Sequence, residues 1–208
     1  MGVLADQLGG RRRDDDEIGF AAEALARGAA VTVVLGPGAK SPPAGVDVVT
    51  VGTAEEMREA VLARVDEADA VVMAAAVADF RPKAVAEAKL KKEAGVPELL
   101  LEPTPDILGE LGERGGRQVL VGFAAETDDL EAAGRAKLAA KHLDLVVVNR
   151  VGRAGTGFGS DTNEALLLGV DGGDIELRAW TKRDLAAAIL TRVAELLADE
   201  ATGVPPGR

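Results

Sequence analysis

Apolar runs of strand length at residues 30–35, 46–51, 70–75, 118–123 and 143–148 alternate with helix-patterned stretches at 18–27, 53–67, 104–114 and 130–141. This alternation builds βαβ units, whose right-handed crossovers give a mainly parallel sheet with helices on both faces. The predicted class is α/β: a Rossmann-like, doubly wound, mainly parallel sheet with a C-terminal β-hairpin and helix. Residues 165–170 and 175–179 flank Asp171-Gly172-Gly173-Asp174 and supply the hairpin. Thr181 caps a last helix to about residue 198. Thr53 with Glu56 makes a capping box, and Thr104-Pro105-Asp106 opens a helix with proline near its first turn. A short extended segment is predicted at 98–102. One domain over residues 18–200 follows, with a divergent N-terminal segment at 1–17 and a tail at 201–208.

The 208 residues include four Phe, one Trp and no Tyr, so the core must come from Ala, Val and Leu. With no cysteine, disulfides, thiolate metal sites and a cysteine nucleophile are excluded, which fits a reducing cytoplasm. Arg11-Arg12-Arg13 leads into acidic residues, so no signal peptide is read, and the apolar runs are too short for a membrane span. A formal charge of −11 argues against nucleic-acid binding. Lysines are nevertheless gathered at 89, 91, 92, 137 and 141, as a phosphate-bearing small ligand would need.

In doubly wound sheets, ligands sit outside the carboxyl ends of the strands. Those ends are 35–37, 74–79, 122–127 and 148–149, rich in Ala and Gly that let a ligand approach the backbone. Phe123 could stack on a base or be plain core, and Asn149 offers a donor and an acceptor. Lys137 and Lys141 share a helical face, which could equally be a solvated one. Asp79 could pair locally with Arg81, and His142 reads as a helix C-cap. The glycine-rich run 155–161 precedes an extended segment and no helix, so it is a weak phosphate loop.

AAAVADFRP (74–82), the K-x-KK loop, TPDIL (104–108), VGFAAET (121–127), AKLAAKHLDLVVVN (136–149) and GFGSDTNE (157–164) occur in this order. Over residues 18–198 the chain resembles phosphopantothenate–cysteine ligase, the CTP-dependent enzyme of coenzyme A biosynthesis. The resemblance implies that 18–200 is a nucleotide-binding, ligase-like domain. It would join 4′-phosphopantothenate to cysteine through an acyl-cytidylate, with Mg²⁺ on the CTP. By the same resemblance Met73, Ala74, Ala75, Asp79, Lys89, Pro105, Asp106, Ile107, Leu108, Phe123, Lys137 and Lys141 would line the CTP site. Lys89 and Asn149 would hold the catalytic positions, and 91–98 would form a flap. It further implies a homodimer using the hairpin region, where 165–170 is apolar, and a separate or fused flavin decarboxylase, with no flavin in this chain.

The N-terminus departs from the family pattern. Residues 1–10 show no clear counterpart of its first strand and Gly-Gly-Thr loop. The acyl-transfer Asn falls near Arg12, and Ser-Ser-Gly-Lys is replaced by Asp14, Asp15, Asp16 and Glu17. Such carboxylates suit a helix start but repel phosphate. The alternative reading is therefore a catalytically impaired nucleotide-binding homologue. A Rossmann dehydrogenase ranks below both, because Gly-x-Gly-x-x-Gly is missing between a first strand and helix. Arg150 stands where the family usually has Asp.

Overall fold

The computed structural model describes residues 2–6, 14–39, 41–74, 77–84, 99–152 and 162–202. Their order begins β1 (Gly2–Asp6), α1 (Asp14–Ala26), β2 (Val31–Leu35), β3 (Asp47–Thr50), α2 (Ala54–Leu62), a 3-10 turn (Val65–Glu67) and β4 (Ala70–Met73). It continues β5 (Phe80–Pro82), β6 (Leu101–Pro103), α3 (Ile107–Arg114), β7 (Val119–Glu126) and α4 (Leu130–Ala140). Last come β8 (Leu145–Arg150), β9 (Thr162–Gly169), β10 (Ile175–Thr181) and α5 (Lys182–Thr202). The eight-stranded sheet has the order β10-β9-β8-β7-β4-β1-β2-β3 and is parallel from β8 to β3. β9 and β10 add an antiparallel hairpin at one edge. The expected α/β class, hairpin and final helix are present.

Strand alternation sends the two sets of side chains to opposite layers. Val119 and Val121 of β7, with Leu145 and Val147 of β8, pack with Phe20, Ala24, Leu185 and Ile189 of α1 and α5. Leu120, Ala124, Val146 and Val148 pack instead with Met57, Val61, Ile107, Leu111 and Leu138 of α2, α3 and α4. The result is three layers, built mainly from Val, Leu and Ala as expected, with Ile107, Ile189, Met57 and Trp180 added.

Local chemistry fixes the element ends. Thr53 Oγ1 accepts from Glu56 N at 3.1 Å as read, but Glu56 Oε2 reaches back to Gly52 N at 2.6 Å, one residue before the Thr53 N–H that would complete a capping box. Thr181 Oγ1 likewise accepts from Asp184 N at 3.1 Å and starts α5. β8 begins at Leu145 and not at 143, because the buried Asp144 carboxylate accepts from Leu120 N at 2.8 Å and clips the approach to β7.

Three expectations need correction. A strand does precede residue 18: β1 pairs in parallel with β2 and β4, near the sheet centre. Val3, Leu4 and Ala5 alone were too short to show a pattern, but hydrogen bonds on both sides define the strand. Second, Phe80–Pro82 forms an unanticipated ribbon with Leu101–Pro103, in which Arg81 Nε bonds Glu102 Oε1 at 2.8 Å and not Asp79. Third, residues 165–168 are buried within the sheet, so their apolar character is used inside the chain and offers no surface for pairing. Among the described residues the exposed large apolar side chains lie elsewhere: Val48 on β3, and Phe80, Leu99, Leu100 and Leu101 at or beside the ribbon.

Candidate functional site

The sheet reverses its winding between β1 and β4, since β2 and β3 lie to one side of β1 and the later strands to the other. Such a switch point opens a crevice at the strand carboxyl ends. β4 stops at Met73, level with Gly122, while β7 runs on to Glu126. The step leaves the backbone at Phe123 open on one flank.

Lys137 of α4 enters this step and donates its ammonium to the Phe123 carbonyl. Burial, then the charge of Lys141, hold the Lys137 pKa below its ordinary value, although Glu126, Asp106 and Asp79 favour its charge. One turn on, Lys141 Nζ meets Asp106 Oδ1 at 2.8 Å. That same oxygen accepts from Gly109 N at 3.0 Å and caps α3. Burial works against the Asp106 carboxylate. The bond from Lys141, the Gly109 N–H and the lysine charges outweigh it and keep the pKa below the usual range.

Asp106 is the N-cap, so Pro105 lies before the helix and not in its first turn. Thr104 is engaged outside the helix: its hydroxyl donates to the Ala78 carbonyl, and its N–H bonds Asp79 O at 3.0 Å. The ribbon is thereby tied to the segment carrying Asp79. Arg135 turns from the lysines toward the hairpin, where it pairs with Asp174. The C-cap of α4 is Lys141 and not the His142 of the sequence reading; His142, with φ +49°, is the next residue.

The sheet divides the sequence-derived residues. Asp106, Lys137 and Lys141 gather on the α3–α4 side. Met73, Ile107 and Leu108 contribute buried core side chains there and can offer a ligand only backbone. The Phe123 ring is on the opposite face, edge-on to Phe20 with centroids 6.3 Å apart; only its carbonyl joins the lysines. Asn149, in phase with Leu145 and Val147, follows Phe123. Among the described residues its buried Oδ1 has no hydrogen-bond partner, a state worth about 1–3 kcal/mol to relieve. Ala74 and Asp79 border the β4 end. Ala75, Lys89, Arg12, the 91–98 flap and the 155–161 loop lie outside the described residues. Sequence reasoning missed Glu126 and Thr104, whose only signal was a place at the end of a strand and at the start of TPDIL.

An open cavity of about 670 Å³ at the start of α4 is a poorer anion site. Asp128, Asp129 and Glu131 rim it, and Arg150 within it is paired with Glu164 at 3.4 Å.

The architecture is thus an α/β domain with its ligand crevice at a strand switch point and two lysines beside it. The chain belongs to the DNA/pantothenate metabolism flavoprotein C-terminal domain family, which matches residues 17–197. It is 47% identical over 178 residues to the coenzyme A biosynthesis bifunctional protein CoaBC of Bacillus subtilis, covering 85% of this chain and 44% of that protein. The chain spans about half the length of the curated relatives it matches. The crystal structure of the C-terminal domain of a CoaBC bifunctional protein has a TM-score of 0.76 and 32% identity, covering 95% of this chain and 96% of that one. A Cab2 mutant in complex with phosphopantothenate-cysteine shares the fold, with a TM-score of 0.72, 13% identity and coverage of 96% and 88%.

Proposed function

We propose that this domain joins 4′-phosphopantothenate to cysteine at the expense of CTP. The carrying observation is Lys137 and Lys141 converging with the α3 start beside the open end of β4, in a chain of this family. The 4′-phosphopantothenate carboxylate would attack the α-phosphorus of CTP and expel pyrophosphate. The cysteine amine would then attack the acyl carbon, lose a proton and expel CMP. The domain's task in the first step is to clamp the triphosphate in line. Lying across the β4 end, CTP can put phosphate oxygens within reach of Lys137 and Lys141. Among the described residues no group of three or more His, Cys, Asp or Glu gathers into a metal site. Mg²⁺ would arrive on the triphosphate, where one or two carboxylates suffice; Asp79 and Glu126 are beside Lys137.

Pyrophosphate release should require both CTP and 4′-phosphopantothenate, and cysteine should convert the acyl-cytidylate to the amide. Release from ATP or none at all with CTP would refute the CTP reading. One observation favours the impaired homologue: α1 begins with Asp14, Asp15, Asp16 and Glu17 on the carboxyl side of the sheet. CTP binding without pyrophosphate release is its expected outcome.

A homodimer is part of the same reading, with the ribbon as the contact. An isolated two-stranded ribbon is marginal in water, yet Phe80 and Leu101 stand 61% and 59% exposed on β5 and β6. Leu101→Lys is expected to shift a dimer to monomer by light scattering. An unchanged dimer would exclude the ribbon.

A further inference from the structure

Asp106 already engages two donors of the kind a ligand anion would need. Its Oδ1 bonds both the first turn of α3, through Gly109 N, and the Lys141 ammonium. The arrangement is sterically specific, because a side chain at 109 would put its first carbon 2.7 Å from Asp106 Oδ2. Around Lys137 and Lys141 stand three carboxylates, Asp79, Asp106 and Glu126. The two lysines thus already have carboxylates acting on them, although the ligand expected here is an anion.

We infer that Asp106 is an internal competitor for the ligand's phosphate: it holds Lys141 in place while the site is empty and must yield that lysine when an anion binds. This deepens the proposed function by naming the group that sets phosphate affinity at the same site. The pair is easy to exchange, since the Asp106 side chain is 57% exposed and such pairs are weak. A phosphate oxygen with more charge than a carboxylate can displace it and keep α3 capped by bonding the same N–H. The carboxylate prevents Lys141 from ranging freely, and lowers the attraction of the empty site for stray anions. Asp106 is in this sense a positioning and affinity-setting residue, acting through Lys141.

Inorganic pyrophosphate is the probe that separates this inference from the CTP reading. Asn caps helices as well as Asp, so Asp106→Asn should keep the melting temperature. It should bind pyrophosphate about threefold to tenfold more tightly than wild type at low salt. The gain should shrink in a Lys141→Met background and be absent for uncharged cytidine, which a purely structural effect would not arrange. Weaker or unchanged pyrophosphate binding in Asp106→Asn overturns the inference, even where CTP binds and turns over. Tighter pyrophosphate binding supports it, and the accompanying lack of CTP binding would sink only the nucleotide reading.

Discussion

Replacing Lys137 by Met is expected to weaken CTP binding. A hydrogen bond to a charged group is worth about 1.5–3 kcal/mol, so the loss should be about 10- to 150-fold. Stability meets two opposed effects, the lost bond to the Phe123 carbonyl and the relieved cost of a half-buried charge, and only the second depends on pH. Burial and the Lys141 charge depress the Lys137 pKa in the folded chain, which therefore binds that proton less well than the unfolded chain does. The charged lysine thus costs stability at neutral pH and below, and the cost fades as pH rises through the depressed value. Lys137→Met removes it, so the variant's stability in urea relative to wild type should fall from pH 7 to alkaline pH. A less stable variant with undiminished CTP affinity would make Lys137 a structural residue.

Gly112→Ala should act first on stability. In a free helix the change is favourable by about 0.5–1 kcal/mol. Here the added carbon would sit 2.0 Å from the Lys141 carbonyl oxygen and 3.2 Å from His142 Cβ. The clash is with backbone, so α3 and α4 must separate. A net loss of about 1–3 kcal/mol is expected from overpacking, seen as a lower urea midpoint. The separation also opens the Asp106–Lys141 pair, so CTP affinity should fall with it. A stabilised variant, as helix propensity alone requires, would show that this contact does not hold the two helices.

Much of the layering was legible because each signal was local. Thr53 with Glu56, the Asp171–Asp174 turn and Thr181 are start and stop chemistry within four residues. β1 was not legible, since three apolar side chains make a strand only once β2 and β4 flank it. The ribbon was hidden for a similar reason: Phe80–Pro82 pairs with residues about twenty positions away. At the site, the four-residue spacing placed Lys137 and Lys141 together, and the family motif drew Phe123 toward them. Strand phase separates them, because Phe123 shares a face with Val121 and Val119 while α4 covers the other set. Nor could spacing reveal that Lys141 meets Asp106, 35 residues away, or that Thr104 ties down the Asp79 segment.

The most direct measurement is a crystal structure of the chain with CTP and Mg²⁺. The account predicts the triphosphate across the end of β4, within hydrogen-bonding distance of Lys137 and of a Lys141 released from Asp106. A nucleotide seated instead in the cavity between Asp128 and Arg150, or phosphates that leave both lysines untouched, would contradict it.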